Sequence, residues 1–305
     1  MSLVVIGTVA FDVIETPFGK TDKIVGGAAT YAGLAASYFY DKVKIVGVVG
    51  DDFQQEEIQS FKDHGIDVEG LQIKEGEKSF FWAGKYHNDM NSRDTLATEL
   101  NVLANFDPII PESYQDCQYL LLGNLTPQVQ QITIKRLRNR PKLIVLDTMN
   151  FWMDIALNDL LDTLKLVDVL TINDAEARQL SGEYSLVKAA RKILQMGPKY
   201  LIIKKGEHGA LLFSEDKIFS APALPLAEVF DPTGAGDCFA GGFIGYLAKV
   251  GTISFNNMKN AIIFGSALAS FCVEKFGTEK IKNLTQEEVS ARIAEFVSLS
   301  KFEIE

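Results

Sequence analysis

Short, almost wholly apolar runs recur along the chain at residues 3–6, 43–49, 119–122, 143–146, 167–172 and 200–203. Between most of them apolar positions return with helical period, as in residues 28–39, 53–61, 129–137 and 187–194. A strand that is apolar on both sides must be covered on both sides, and intervening helices supply the crossovers that parallel pairing needs. The pattern therefore predicts an α/β fold built on a mostly parallel sheet. Beyond Phe219 the alternation gives way to helices over residues 236–249, 256–275 and 286–299, the last opened by a capping box of Thr285 and Glu288.

Two stretches break this rhythm. Residues 13–25 contain Pro17 and Gly19, and residues 71–103 carry Ser79-Phe80-Phe81-Trp82-Ala83-Gly84-Lys85-Tyr86-His87 with little helical period. They read either as one small sheet laid over the main body as a lid, or as two unrelated surface hairpins. With no charge block, low-complexity segment or internal repeat, residues 1–305 are expected to form a single domain.

Composition narrows the function classes. The 305 residues are 47% hydrophobic and carry a formal net charge of -10. Such acidity argues against a general affinity for nucleic acid or anionic membrane. Cys117, Cys238 and Cys272 are scattered, which fits a reducing compartment and no structural zinc site. The first apolar run is too short for a signal peptide, and no segment reaches the roughly 18 apolar residues of a membrane span. A cytoplasmic protein is expected.

Residues 231–237 read Asp-Pro-Thr-Gly-Ala-Gly-Asp and run straight into an amphipathic helix. A helix N-terminus presents unpaired N–H groups and positive dipole ends, and small residues let an anion approach them closely. Asp237 stands in that same first turn, where a carboxylate is able to take a proton from an attacking hydroxyl. Its blander role is to complement the helix dipole. Asn173 and Glu176 have a similar ambiguity, because an Asn followed three residues later by Glu is also an ordinary helix start.

The loop at 231–237 resembles the C-terminal signature of the ribokinase-like (PfkB) carbohydrate kinases. Gly26-Gly27, preceded by Gly7-Thr8-Val9-Ala10-Phe11-Asp12, resembles that family's N-terminal signature. Asn173-Asp174-Ala175-Glu176 is similar to its Asn-x-x-Glu motif and Gly206-Glu207-His208-Gly209 to its Gly-x-x-Gly turn. The resemblance implies a ribokinase-like three-layer sandwich of about nine strands with a small β lid, formed here by about 13–25 and 71–103. It implies ATP and Mg²⁺, Asp237 as general base, and the backbone of Gly234, Ala235 and Gly236 as anion hole. Asp12, Gly26 and Gly27 would then bind the acceptor. Asn173, Lys204, Lys205, Gly206, Gly209, Thr233, Ala267 and Gly277 would lie along the nucleotide, with Glu176 ordering Mg²⁺ through water. A dependence on K⁺ near Asp231 and Thr233 is a further implication, and so is a homodimer joined through the lid.

Departures from the family pattern bear on the acceptor. Tyr31 stands where Asn is usual, Lys204 where Thr is usual, and Trp152 where a basic residue is common. Tyr31 would line the acceptor pocket. Arg93 is the one lid cation placed to meet a charged acceptor, or else it decorates the surface. Lys204 and Lys205 either reach a phosphate or form a solvated pair at a strand end. The partners expected are a small sugar and ATP, without nucleic acid or membrane. The main reading is an ATP-dependent kinase of a free sugar; the alternatives are a nucleoside kinase, towards which the aromatic replacements lean, and an idle sugar- or nucleotide-binding protein. A dinucleotide-dependent dehydrogenase is disfavoured, because the first strand lacks a following Gly-x-Gly-x-x-Gly turn.

Overall fold

The computed structural model describes residues 1–301. Fourteen strands appear in chain order: β1 (Leu3–Ile6), β2 (Ala10–Thr16), β3 (Gly19–Lys20), β4 (Ile24–Gly26), β5 (Val43–Gly50), β6 (Asp67–Lys74), β7 (Phe80–Tyr86), β8 (Arg93–Glu99), β9 (Tyr119–Leu122), β10 (Leu143–Asp147), β11 (Val169–Asn173), β12 (Tyr200–Lys204), β13 (Ala210–Phe213) and β14 (Ile218–Ala221). Nine of them form the main sheet, in the order β14-β13-β12-β11-β10-β9-β1-β5-β6. Every pairing from β12 to β6 is parallel, and only β13 and β14 turn back antiparallel.

Alternate residues of the apolar strands serve opposite cores. Leu3, Val5, Leu121 and Val145 pack with the helices Ala28–Ser37, Ala235–Val250 and Phe255–Cys272, whereas Val4, Ile6, Leu120, Leu122 and Ile144 pack with the helices of the other face. Period-two side-chain direction thus turns each continuous apolar run into two buried surfaces. The result is the three-layer sandwich that the sequence implied.

The remaining five strands form a second sheet, ordered β3-β2-β7-β8 with β4 paired to β2. The two irregular stretches therefore do pair, through β2 and β7 in parallel register from Ala10↔Phe80 to Glu15↔Lys85. The boundaries differ from expectation. Leu71 pairs with Gly47 in β6, the edge of the main sheet, so the second sheet draws on residues 80–99 of that region; it also begins earlier, at Ala10. β6 escaped notice because an edge strand, with only one paired side, need not be apolar on both faces.

Two helices that carry the sequence signatures touch along almost bare backbone. A Cβ on Gly241 would lie 2.2 Å from the carbonyl oxygen of Ala32, and one on Gly245 would lie 2.9 Å from that of Ala36. Glycine every fourth residue removes one ridge of the helix Ala235–Val250, so the helix Ala28–Ser37 seats directly on it. This contact brings Gly26-Gly27 and the 231–237 loop, remote in sequence, to the same end of the sheet.

Candidate active site

The site is built where parallel strands end and helices begin. Gly234 adopts a left-handed conformation (φ 77) as the N-cap of the helix Ala235–Val250, and no side chain caps that end. The Ala235 N–H closes the turn on Pro232 O at 3.2 Å, while among the described residues the N–H groups of Gly234 and Gly236 have no acceptor. The anion hole read from the sequence is therefore narrower in donors: Gly234 and Gly236 have N–H groups to offer, and Ala235 contributes its small size.

Gly27 (φ 97) N-caps the helix Ala28–Ser37 and likewise has no side-chain cap. Thr8 substitutes from the preceding segment, its Oγ1 accepting from Ala28 N at 2.9 Å and its carbonyl from Ala29 N at 2.9 Å. Asp12, on β2, stands against Gly26, where a Cβ would lie 1.9 Å from Asp12 Oδ2. Glycine at this point makes room for the carboxylate.

Carboxylates crowd the cleft, and their protonation reflects it. Asp12 is 4% exposed, and its pKa is pushed up to about 7, first by burial and then by Asp231 and Asp237. Water reaches Asp237, yet the protein around it, reinforced by Asp147, pushes its carboxyl up to about 7, while Lys204 and Arg93 oppose the shift. Such a value suits a base that must be ionised near neutrality and still hold a proton. Glu176 rises to about 6, mainly by burial.

Asn173 and Glu176 do form a capping box: Asn173 Oδ1 accepts from Glu176 N at 2.8 Å, and Glu176 Oε2 accepts from Asn173 N at 2.8 Å. Capping and ligand contact need not compete here. The cap fixes the Glu176 side chain beside Lys204 and Asp147, which both influence its pKa. Lys204 is ion-paired with Asp147 at 2.8 Å, and Lys205 has no side-chain partner among the described residues. Gly206 and Gly209 shape the turn after β12, and a Cβ on Gly206 would meet the side chain of Asn91, in the connection between β7 and β8, at 2.9 Å.

The second sheet reaches over this end of the molecule. Thr233 Oγ1 donates to the Tyr86 hydroxyl at 3.2 Å, joining β7 to the anion loop. Because Asp12 pairs with Trp82 in parallel register, Asp12, Trp82 and Tyr86 share one face. The six-membered ring of Trp82 lies against Gly84, where a Cβ would be 2.1 Å from it, and its Nε1 donates to Thr95 Oγ1 at 3.4 Å. Arg93 stands 5.7 Å over the same ring and has no carboxylate partner among the described residues.

Three expected contacts are placed differently. Tyr31 is 1% exposed and stands behind the anion loop, where a Cβ on Gly234 would lie 2.4 Å from its ring; it supports Gly234 and does not line an acceptor pocket. Ala267 has no exposed surface and packs in the core between helices, so it offers nothing to a nucleotide. Gly277 is buried, and its N–H donates to Asp231 Oδ2 at 2.8 Å, which ties down the start of the loop. Conversely, Asp147 and Tyr86 were absent from the expected set. The first belongs to Asp147-Thr148-Met149-Asn150-Phe151-Trp152, which resembles the family's Asp-x-Asn segment; the second stands with Phe81 and Trp82 among the aromatics of the irregular stretch, which read as lid packing or as a stacking surface for a sugar or base. Trp152, the other departure, donates from Nε1 to Asn124 Oδ1 at 2.8 Å and packs on Phe151.

Comparison with known proteins gives one consistent answer. The family model described as pfkB family carbohydrate kinase matches residues 1–284. The cytidine kinase of Thermococcus kodakarensis is 33% identical over 248 residues, covering 80% of this chain and 87% of the relative. The ribokinase of Lactococcus lactis is 24% identical over 288 residues, covering 90% of this chain and 91% of the relative. A putative ribokinase II from E. coli, solved in complex with ATP and Mg²⁺, superposes with a TM-score of 0.78 at 20% identity, covering 96% of this chain and 99% of the other. With that match across nearly its whole length and the signature residues gathered at one end of the sheet, the chain belongs to the pfkB family of carbohydrate kinases and is a phosphotransferase.

Proposed function

We propose that this phosphotransferase transfers the γ-phosphate of ATP to a ribose hydroxyl of a nucleoside. The observation that carries the nucleoside reading is the Trp82 ring, seated against Gly84 on the face shared with Asp12. A sugar needs hydroxyl acceptors, which Asp12 supplies; a base needs a stacking plane beside them. Such stacking is worth about 1–3 kcal/mol per base. The 33% identity to a cytidine kinase supports the same class.

In this reading Asp12 and the Gly26-Gly27 backbone hold the ribose. Asp237 accepts the proton of the attacking hydroxyl, and the N–H groups of Gly234 and Gly236 receive the charge of the transferring phosphoryl. Phosphoryl transfer asks for in-line placement and charge stabilisation more than covalent chemistry, and these parts supply both. No cluster of three or more metal-ligating side chains exists among the described residues. Mg²⁺ would therefore rest on the phosphates and on water ordered by Asn173 and Glu176, and bound there it supplies charge neutralisation. Asp231 also fits a K⁺ ion. It is wholly buried and has no cationic side chain within ion-pair distance among the described residues. The Tyr31 hydroxyl, whose pKa Asp231 helps to raise, is buried without a partner. The second sheet would act as the lid, and its exposed edge β8, with Leu96 in the open, would join two copies.

ADP release with Mg·ATP across pentoses, hexoses, cytidine, uridine, inosine and adenosine tests the proposal. A nucleoside should be the best acceptor, and Trp82→Ala should raise its KM about tenfold with little change for free ribose. Faster turnover of a free sugar than of any nucleoside would overturn the acceptor assignment, and no stimulation by any acceptor would overturn the reading altogether.

A further inference from the structure

Lys204 closes β12, and its position is set from three sides. Its ammonium donates to Asp147 Oδ1 at 2.8 Å, and that oxygen is itself held by the buried Thr171 hydroxyl at 2.7 Å. The side chains of the pair are 18% and 11% exposed. On the far side the ammonium lies 3.0 Å from the point where a Cβ on Gly236 would stand. It therefore rests against the first turn of the helix whose free N–H groups form the anion hole. An ammonium has three donors. One is spent on Asp147, and no acceptor for the other two occurs among the described residues.

A solvated lysine at a strand end would leave its charge in bulk water and make no use of the helix. This one is withdrawn from water, which costs free energy unless the charge is used. Positive charge beside a helix N-terminus is moreover unfavourable until an anion arrives. Burial pulls its pKa down, but the attraction of Asp147, Glu176 and Asp237 outweighs that and raises it, so the ammonium stays charged beside the helix end. We propose that Lys204 is a catalytic residue whose two unspent N–H groups bind the oxygens of the transferring phosphoryl group alongside the amides of Gly234 and Gly236. This inference rests on the kinase reading and adds to it a full positive charge where backbone dipoles alone would act. Asp147 then serves as the parking partner that keeps the ammonium aimed between turnovers.

Lys204→Met tests the assignment together with the double variant Lys204→Met/Asp147→Asn, in which no buried carboxylate is stranded. ADP release by the unaltered chain is measured first, and its absence would overturn the kinase reading itself. Given that activity, both variants should lose at least about 100-fold in kcat while the acceptor KM stays within about threefold. If Lys204 only neutralises Asp147, the double variant recovers the original kcat, and that recovery overturns the proposal. A Lys204→Met chain that fails to fold leaves the double variant to decide, because its pair is uncharged.

Discussion

Asp237→Asn separates two roles that a carboxylate at a helix N-terminus can play. As a dipole partner only, its loss would destabilise the fold by about 0.3–1 kcal/mol. The environment of Asp237 gives the opposite sign, because its surroundings push the carboxyl from 3.8 to about 7. That rise corresponds to about 4 kcal/mol as an upper bound. Water access reduces that, and about 1–3 kcal/mol is the expected gain. The sign with pH follows from linkage: the stabilisation that protonation gives is complete below 3.8 and is lost as pH rises to about 7. At about pH 8 the Asn variant should therefore melt several degrees above the unaltered chain, with the gap closing towards about pH 4. Its kcat should fall by about 10²–10⁴, and the unaltered chain should gain rate as pH rises through about 7. Thermal unfolding between about pH 4 and 8, paired with ADP release, reads both. A variant less stable at about pH 8, or one that keeps its full rate, refutes the assignment of Asp237 as a strained base.

Other perturbations act at a distance from the chemistry. Gly241→Ala drives a Cβ to 2.2 Å from the Ala32 carbonyl, and neither backbone can retreat cheaply; denaturant unfolding should show a loss of at least about 2 kcal/mol, with kcat falling as the two loops part. If K⁺ is the counter-charge of Asp231, exchanging it for tetramethylammonium, too large for a buried site, should lower both the melting temperature and kcat, and Asp231→Asn should abolish the difference.

The layers of the fold were legible because β1, β5, β9, β10 and β11 are buried on both faces and so are written as unbroken apolar runs. The motif loops were legible because left-handed and close-approach positions restrict the residue to glycine, as at Gly234 and Gly27. What stayed hidden was direction. Tyr31 sits one helical turn beyond Gly27, yet whether its ring enters the acceptor pocket or wedges beneath Gly234 depends on how two helices seat. Lys204 finds Asp147 across 57 residues, a distance over which local pattern carries no information. The parallel pairing of β2 with β7 was equally silent, since neither strand is apolar on one face only.

The bare seam between Gly241, Gly245 and the carbonyls of Ala32 and Ala36 sets a division of labour in time as well as in space. Two loops carried on helices this closely joined are expected to keep their spacing, so the span between acceptor and phosphate would behave as a fixed gauge. If the second sheet serves as the proposed lid, it would travel over that gauge, which it touches at Tyr86 and Thr233. The clock of turnover would then belong to the opening of that sheet, and the fidelity of transfer to the four small residues of the seam.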